Sequence, residues 1–485
     1  MDMKNNLDAM GLKPRRVVLF VVALVVLFVW FLSSPRGYSR SKPDFGGTDA
    51  VHRFSESSEQ RIAKQTTSER AIHMKAFDNK LGFSQVWFSN QCLKMPTKSL
   101  RIDNIALIAE KWGKAEESNC RDLYDIFKTI YSLKTRTSEV KIGNEFSKKV
   151  LKWFNNNKDL LEETMHQQVT SVQNLYTQES TVFNPLRAKR PGAGGGGGPE
   201  VKIAVDKMVN ESSADCDFCN YKKMTAQDPF GRVESKYAVS VANTFKIERF
   251  HGLILLRHHD PLKFTEEEFL DLMDVAQKWF AKAHIVDISY ANPHIYWDVL
   301  PKASASQVHP HLHVNLASGQ YYAKWARLHA ASLQYSKDRE GENYFTDLVK
   351  VHSALGLTAS LGKATVMAYL TPQASHELVF ISSSVCEDIF RLLFFAMRAY
   401  IDDMGLYAYS AGMVFPKLVA PQSGDLPMIM RLVFRGAVTS TRADISSIEL
   451  FGTPNVNVDP YKLINSIRKT MFHHGAKPDT LGDAS

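Results

Sequence analysis

The sequence predicts an α+β protein: a duplicated unit of antiparallel strands and a helix, preceded by a helical region and a single transmembrane helix. Three observations carry this expectation. An uncharged apolar run, Val17 to Leu32, stands near the N-terminus. Apolar residues at spacings of three and four mark helices between residues 60 and 180. Beyond a glycine run, the order strand, strand, helix, strand occurs twice, each time over about 100 residues.

The chain has 485 residues, room for two or three domains at about 150 residues each. Its 44% hydrophobic and 11% aromatic content supports a sizeable core, so most of it is expected to be globular. Net charge is +8 and the pI about 9.0, with basic residues widely spread. Nucleic-acid binding needs a concentrated basic face, which the sequence lacks, so nucleic acid is excluded as a partner. The small cluster Arg187-Ala188-Lys189-Arg190 suits an anionic small substrate, or a solvated loop.

Residues 1–16 form a tail, and 17–33 are expected to be an uncleaved signal anchor in a membrane. The apolar run of 16 residues is slightly short of the ~20 a spanning helix prefers, within reach of a thin bilayer. It exceeds a signal-peptide core, and no A-x-A cleavage site follows. Lys4, Lys13, Arg15 and Arg16 precede the run, while Arg36, Arg40 and Lys42 follow it. That balance inclines toward a cytosolic N-terminus, a type II protein of the Golgi or ER, with a cytosolic-facing body left open. Of five cysteines, Cys92 and Cys120 have the option of pairing in an oxidising lumen. Asn210-Glu211-Ser212 is a glycosylation acceptor if the body is lumenal.

Residues 34–60 are polar and read as a stem. Residues 61–180 read as a helical accessory region, from Ile105–Trp112, Leu123–Ile130 and Val150–Phe154. Gly194–Gly198 marks a loop, not a phosphate cradle, because no Gly-Lys-Ser/Thr follows. The first repeat, 181–335, has strands at Tyr237–Ala242 and Gly252–Leu256. Its helix is expected from Phe264 to His284, with Thr265 as N-cap. The second, 336–475, has strands at Ala364–Leu370 and Glu377–Ile381, a helix at Cys386–Met404, and strands at Tyr407–Phe415 and Pro427–Phe434. Residues 476–485 form a tail.

Within the first repeat, Val308-His309-Pro310-His311-Leu312-His313-Val314 alternates histidine with other residues. On a strand, positions i, i+2 and i+4 share a face, so all three imidazoles are expected on one surface with Leu312 and Val314 toward a core. Clustered imidazoles offer a nucleophile, a hydrogen donor and metal ligands near neutral pH. The plain alternative is an exposed His-rich strand that binds adventitious metal.

Residues 181–475 resemble the galactose-1-phosphate uridylyltransferase branch of the histidine-triad superfamily. Four pieces carry the resemblance: Asn184-Pro185-Leu186-Arg187-Ala188-Lys189-Arg190-Pro191, Cys216-Asp217-Phe218-Cys219, Gly252 through His259, and Ala305-Ser306-Gln307-Val308-His309-Pro310-His311. Glu449–Gly452 and Asp459–Arg468 look like the family's closing strand and helix. The resemblance implies a duplicated histidine-triad-like fold whose second copy, with Met428-Ile429-Met430-Arg431 at the place of a histidine strand, lacks its own nucleophile. It implies His311 as nucleophile toward the α-phosphorus of a nucleotide or nucleotide-sugar substrate, with Arg187 and Arg190 on phosphate oxygens. Asp298, Ser306 and Gln307 fall at substrate-contacting positions. By carry-over Cys216, Cys219, His259 and His309 hold a structural Zn2+, against a redox pair or disulfide between the two cysteines.

Two departures bear on activity. His313 stands where the transferase branch has glutamine, which resembles the hydrolase branches, and Asp298 puts a carboxylate where the family has an asparagine. The expected function is a membrane-anchored nucleotidyltransferase acting on a nucleotide sugar or dinucleotide through a nucleotidyl-histidine. The alternatives are a histidine-triad hydrolase or phosphorylase, or a decayed nucleotide-binding membrane protein. A homodimer is left open. A lumenal glycosyltransferase is disfavoured, because Asp271-Leu272-Met273-Asp274 and Asp287-Ile288-Ser289 do not provide a D-x-D metal motif and Asp402-Asp403 lies in an expected helix.

Overall fold

The computed structural model describes residues 73–79, 82–189 and 197–476. The expected tail, anchor and stem (1–60) lie outside the described residues, as do Arg190 and 477–485. Among the described residues no helix is long and apolar enough to cross a membrane.

The accessory region begins as its periodicity predicts. Helix α1 (Ile105–Gly113) buries Ile105, Ile108 and Trp112, and α2 (Ser118–Ile130) buries Leu123, Ile126, Phe127 and Ile130. A disulfide joins Cys92 to Cys120. The Trp112 indole donates to the Cys120 carbonyl over 2.8 Å. Beyond Ile130 the all-helical expectation fails. Strand β1 (Tyr131–Glu139) leaves α2 directly, and helices α3 (Asn144–Trp153) and α4 (Lys158–Met165) lead to β2 (His166–Asn174) and β3 (Ser180–Phe183). These three strands form an antiparallel sheet, with Tyr131 opposite Asn174 and Glu139 opposite His166. Their side chains are mostly Thr, Ser, Gln and charged groups. Such strands are held by backbone pairing and carry almost no apolar alternation to betray them.

After α5 (Pro199–Ser212), the first repeat supplies β4 (Ala238–Ala242), β5 (Phe250–Leu256), α6 (Glu266–Val286), β6 (Tyr290–Asp298) and β7 (His311–Ser318). Helix α6 starts at a capping box, Thr265 with Glu268, three glutamates complementing its positive end. Helices α7 (Ala323–Asp338) and α8 (Tyr344–Ala354) connect to β8 (Thr358–Leu361), β9 (Ala364–Ala368), β10 (Leu378–Ser382), α9 (Glu387–Arg398), β11 (Tyr409–Val414) and β12 (Met428–Phe434). Helix α10 (Pro460–His473) begins at an Asp459 cap with Pro460 in its first turn. Glu449–Gly452, expected as a strand, instead belongs to a helical turn, Ser447–Phe451, because Ser446 and Glu449 close a capping box around it.

The two sets of strands merge into one nine-stranded antiparallel sheet, ordered β4-β5-β7-β6-β11-β12-β10-β9-β8. Strands β6 and β11 pair at its centre, and the halves mirror each other outward from there. One row across the sheet shows this: Leu253, His313, Tyr296, Gly412, Arg431, Val379 are successive partners. Thus β12 stands in the second half where β7 stands in the first. Helices α6, α9 and α10 bury one face, with Phe269, Trp279, Phe280, Leu393, Phe395 and Ile464 at 0–1% exposure. Each large side chain buried in that layer contributes roughly 2 kcal/mol. The opposite face is polar around β5, β7 and β6, while in the second half Met367, Val379, Ile381, Val414 and Ile429 pack there into a second core with the accessory region and α8.

Candidate active site and metal centre

That opposite face, in the first half, is built from three adjacent strands. His311 and His313 project from β7, His251 from β5 and Asp298 from β6, while Leu312 and Val314 turn the other way into the helix-covered core. The expected row of three imidazoles is corrected in one respect. The strand begins at His311, so His309 lies in the preceding bend and is released from the alternation.

His311 is 3% exposed. Its Nδ1 lies 2.7 Å from the His309 carbonyl oxygen, to which it donates, so the proton sits on Nδ1 and Nε2 keeps its lone pair. The Phe218 ring meets its face edge-on at a centroid distance of 5.2 Å, and His313 follows at 5.5 Å. His313 is paired in turn: its Nδ1 is 3.0 Å from His251 Nε2. Burial pushes His251, His309, His311 and His313 each down to about 4, so all four rings are neutral at pH 7. Asp298 receives a hydrogen bond from the Ser410 hydroxyl at 2.5 Å, and Arg435 stands 3.8 Å away. Its carboxylate is therefore partnered, which eases the repulsion expected against a phosphate.

Immediately before this strand the backbone is constrained. Leu300 has φ of 69° and Ser304 φ of 79°, in the region that favours glycine. Between that turn and His309 lie Ser306, exposed, and Gln307, half-buried.

His309 turns toward the cysteines. Its Nδ1 lies 3.5 Å from Cys216 Sγ and 3.7 Å from Cys219 Sγ, and His259 Nδ1 lies 3.5 Å from Cys219 Sγ. All four donor atoms fall within 4.8 Å of one another. The far ring nitrogens are held from outside: His309 Nε2 donates to the Leu256 carbonyl at 2.8 Å, and His259 Nε2 meets Ser212 Oγ at 3.0 Å. This arrangement points both Nδ1 lone pairs inward, as metal ligation requires. Two thiols and two imidazoles form a possible Cys2His2 metal cluster, a donor set that fits tetrahedral zinc. Burial and Cys216 hold the Cys219 thiol up to about 11, a cost that a bound divalent cation offsets.

The described part of the expected phosphate-contacting segment, Asn184–Lys189, is placed elsewhere. Asn184, Pro185, Leu186 and Lys189 line a cavity of about 680 Å³ with Arg101 and Lys462, and none of the histidines from 251 to 313 lines it. Arg187 lies within electrostatic reach of Glu449 and borders a smaller cavity beside Phe146 and Trp153.

His251 has no counterpart among the residues expected from the sequence. It is 62 positions from His313, beside a glycine in an otherwise apolar strand, and no local spacing marks it. Nor do Arg431 and Glu377, which take the mirrored positions in the second half.

No family model matches the chain, and no curated protein does. Solved structures are similar to it. An ADP-glucose phosphorylase from Arabidopsis thaliana with bound ADP-glucose shares 14% identity over 61% of this chain and 97% of its own, with a TM-score of 0.46. A GalT-like protein from Arabidopsis thaliana shares 14% over 53% and 92%, with a TM-score of 0.43. A uridylyltransferase shares 11% over 54% and 92%, with a TM-score of 0.44.

Proposed function

We propose that this protein transfers a nucleotidyl group through His311, taking it from a nucleotide sugar or dinucleotide. The observation that carries the reading is the hydrogen bond from His311 Nδ1 to its neighbour's carbonyl. It leaves Nε2 unprotonated, and burial keeps the ring neutral, which is the state a nucleophilic imidazole needs. As the N–P bond forms, the ring gains positive charge, which the His309 carbonyl stabilises. Cys216, Cys219, His259 and His309 would hold zinc in a structural role, tying the Cys216–Cys219 turn to the strand that carries the nucleophile. Because His311 is 3% exposed, the packing of Phe218 over its face has to loosen for a phosphate to reach Nε2.

The proposal extends to location. The apolar run at 17–33 supports a type II anchor, and the Cys92–Cys120 disulfide supports an oxidising, secretory compartment for the body.

The test is to incubate the purified body with α-phosphate-labelled nucleotide sugars and dinucleoside polyphosphates. The expected result is acid-labile label on the wild type and none on His311→Ala. Equal labelling of both proteins rules the reading out.

A further inference from the structure

Helix α3 presents a face that the body does not cover. Val150, and Phe154 just beyond the helix end, are buried at 2% and 9% exposure, while Phe146 and Trp153 stand at 50% and 39%. The two exposed rings meet edge-on at a centroid distance of 5.8 Å, two turns apart on one stripe of the helix. Lys149 shares that stripe, with its ammonium 5.9 Å from the centre of the Trp153 ring. Beside the pair opens a cleft of about 290 Å³, to which Val140, Ile142, Val150 and Leu186 give apolar walls.

A contiguous apolar surface of this kind marks a place where something docks, and the charge around it says what. From Lys141 to Lys158 the chain carries five lysines and one carboxylate, Glu145. Glu145 is taken by Lys148 at 2.8 Å, and none of Lys141, Lys149 and Lys152 forms an ion pair among the described residues. All three of these lysines are exposed. Aromatic rings flanked by unpaired lysines are the composition of a helix that lies in a lipid headgroup layer. The rings sit at the hydrocarbon boundary, and the long lysine stems carry their charge out to phosphates. A second copy of the same face is disfavoured as occupant, because a twofold contact would set these lysines against each other.

We propose that α3 is an interfacial helix, which lays Phe146 and Trp153 into the headgroup layer of a bilayer containing anionic phospholipid, with Lys141, Lys149 and Lys152 on the lipid phosphates. The inference rests on the membrane location proposed above and is independent of the chemistry at His311. Residues 33–72 separate the end of the apolar run from His73, where the described body begins. At about 3.4 Å per residue that stretch reaches at most about 140 Å. An anchored body therefore stays at high local concentration beside its own membrane, where a weak surface contact suffices to dock it.

The test uses the full chain with 5-fluorotryptophan in place of tryptophan, in nanodiscs of phosphatidylcholine with and without phosphatidylserine. Trp153→Phe and Trp30→Phe assign the two fluorine signals of interest. On anionic discs the Trp153 signal is expected to be broadened by a headgroup nitroxide lipid and shielded from a soluble gadolinium chelate. On phosphatidylcholine alone the chelate is expected to reach it. Lys141→Gln, Lys149→Gln and Lys152→Gln together are expected to lower the ratio of docked to free protein on anionic discs by about 100-fold. The signal of Trp112, whose indole is bonded to the Cys120 carbonyl, should stay in place and show the fold intact. A Trp153 signal open to the chelate on anionic discs overturns the proposal, as does equal lipid contact on both kinds of disc. Shielding from both probes identifies a protein neighbour and also overturns it. Trp30, within the apolar run, reports the anchor separately. If a mid-chain nitroxide leaves its signal unchanged, the membrane location fails, and the Trp153 readings still decide the role of α3.

Discussion

Arg431 on β12 and Glu377, the residue just before β10, lie 2.5 Å apart and stand in the second half of the sheet where His313 on β7 and His251 on β5 stand in the first. The second pair is an ion pair, closed on its other side by Glu179 at 2.6 Å from Arg431. Glu179 comes from the turn between β2 and β3, so the accessory sheet covers the face that mirrors the candidate site. Asn174 adds hydrogen bonds to the hydroxyls of Tyr344 and Tyr369 at 2.8 and 3.2 Å.

Arg431→Met is expected to leave two buried carboxylates without their cation, at a cost of about 3–5 kcal/mol in chemical denaturation. A loss below about 1 kcal/mol contradicts this account of the pair.

The donor set around Cys216 predicts about one zinc per chain by elemental analysis. Cys216→Ser is expected to abolish most of that zinc and to lower the melting temperature, and chelation of the wild type is expected to do the same. Wild-type protein that holds no zinc and is indifferent to chelator refutes the assignment.

Gly252 sits on β5 under α6. A Cβ there would stand 2.9–3.0 Å from three atoms of the Trp279 ring. That ring is fixed by its indole N–H, which donates to Asp228 at 2.8 Å. Gly252→Ala is expected to destabilise the protein by about 1–3 kcal/mol, read as a shift in denaturant midpoint.

His352 on α8 is fully buried and uses both nitrogens as a neutral ring. Nδ1 donates to the Leu348 carbonyl at 2.8 Å, and Nε2 accepts from the Leu370 N–H at 3.3 Å. Burial pushes it down to about 4 from an ordinary 6.5. The unfolded chain therefore binds its proton first, and stability falls as pH drops below about 6.5 toward 4. Between pH 7.5 and 5 this one group is expected to remove about 2 kcal/mol from the wild type. Denaturation of His352→Gln at the two pH values checks this, since the variant should lack that increment.

Some elements were legible because their signals are local. His311 and His313 share a face because strand alternation puts them there. Helix α6 was readable from Thr265, three glutamates and a stripe ending in Trp279, all within a few turns. The repeated order of strands and helix pointed to a mixed fold with antiparallel pairing. Strands β1 to β3 were not legible, since Thr, Ser and Gln alternate without an apolar face to show the period. Nor was the fate of His309: only one residue separates it from the strand, but Leu256 and the two cysteines capture its ring.

By itself, then, the chain's order of residues determined which segments become the site strand and its supporting helix, and which side chains are the candidates for its chemistry. Tertiary structure alone decided the partners: His251 for His313, and two glutamates for Arg431. The physical reason is range. Caps and periodicities act across a few residues, whereas strand register brings together groups 62 and 252 positions apart, whose pairing no local pattern encodes.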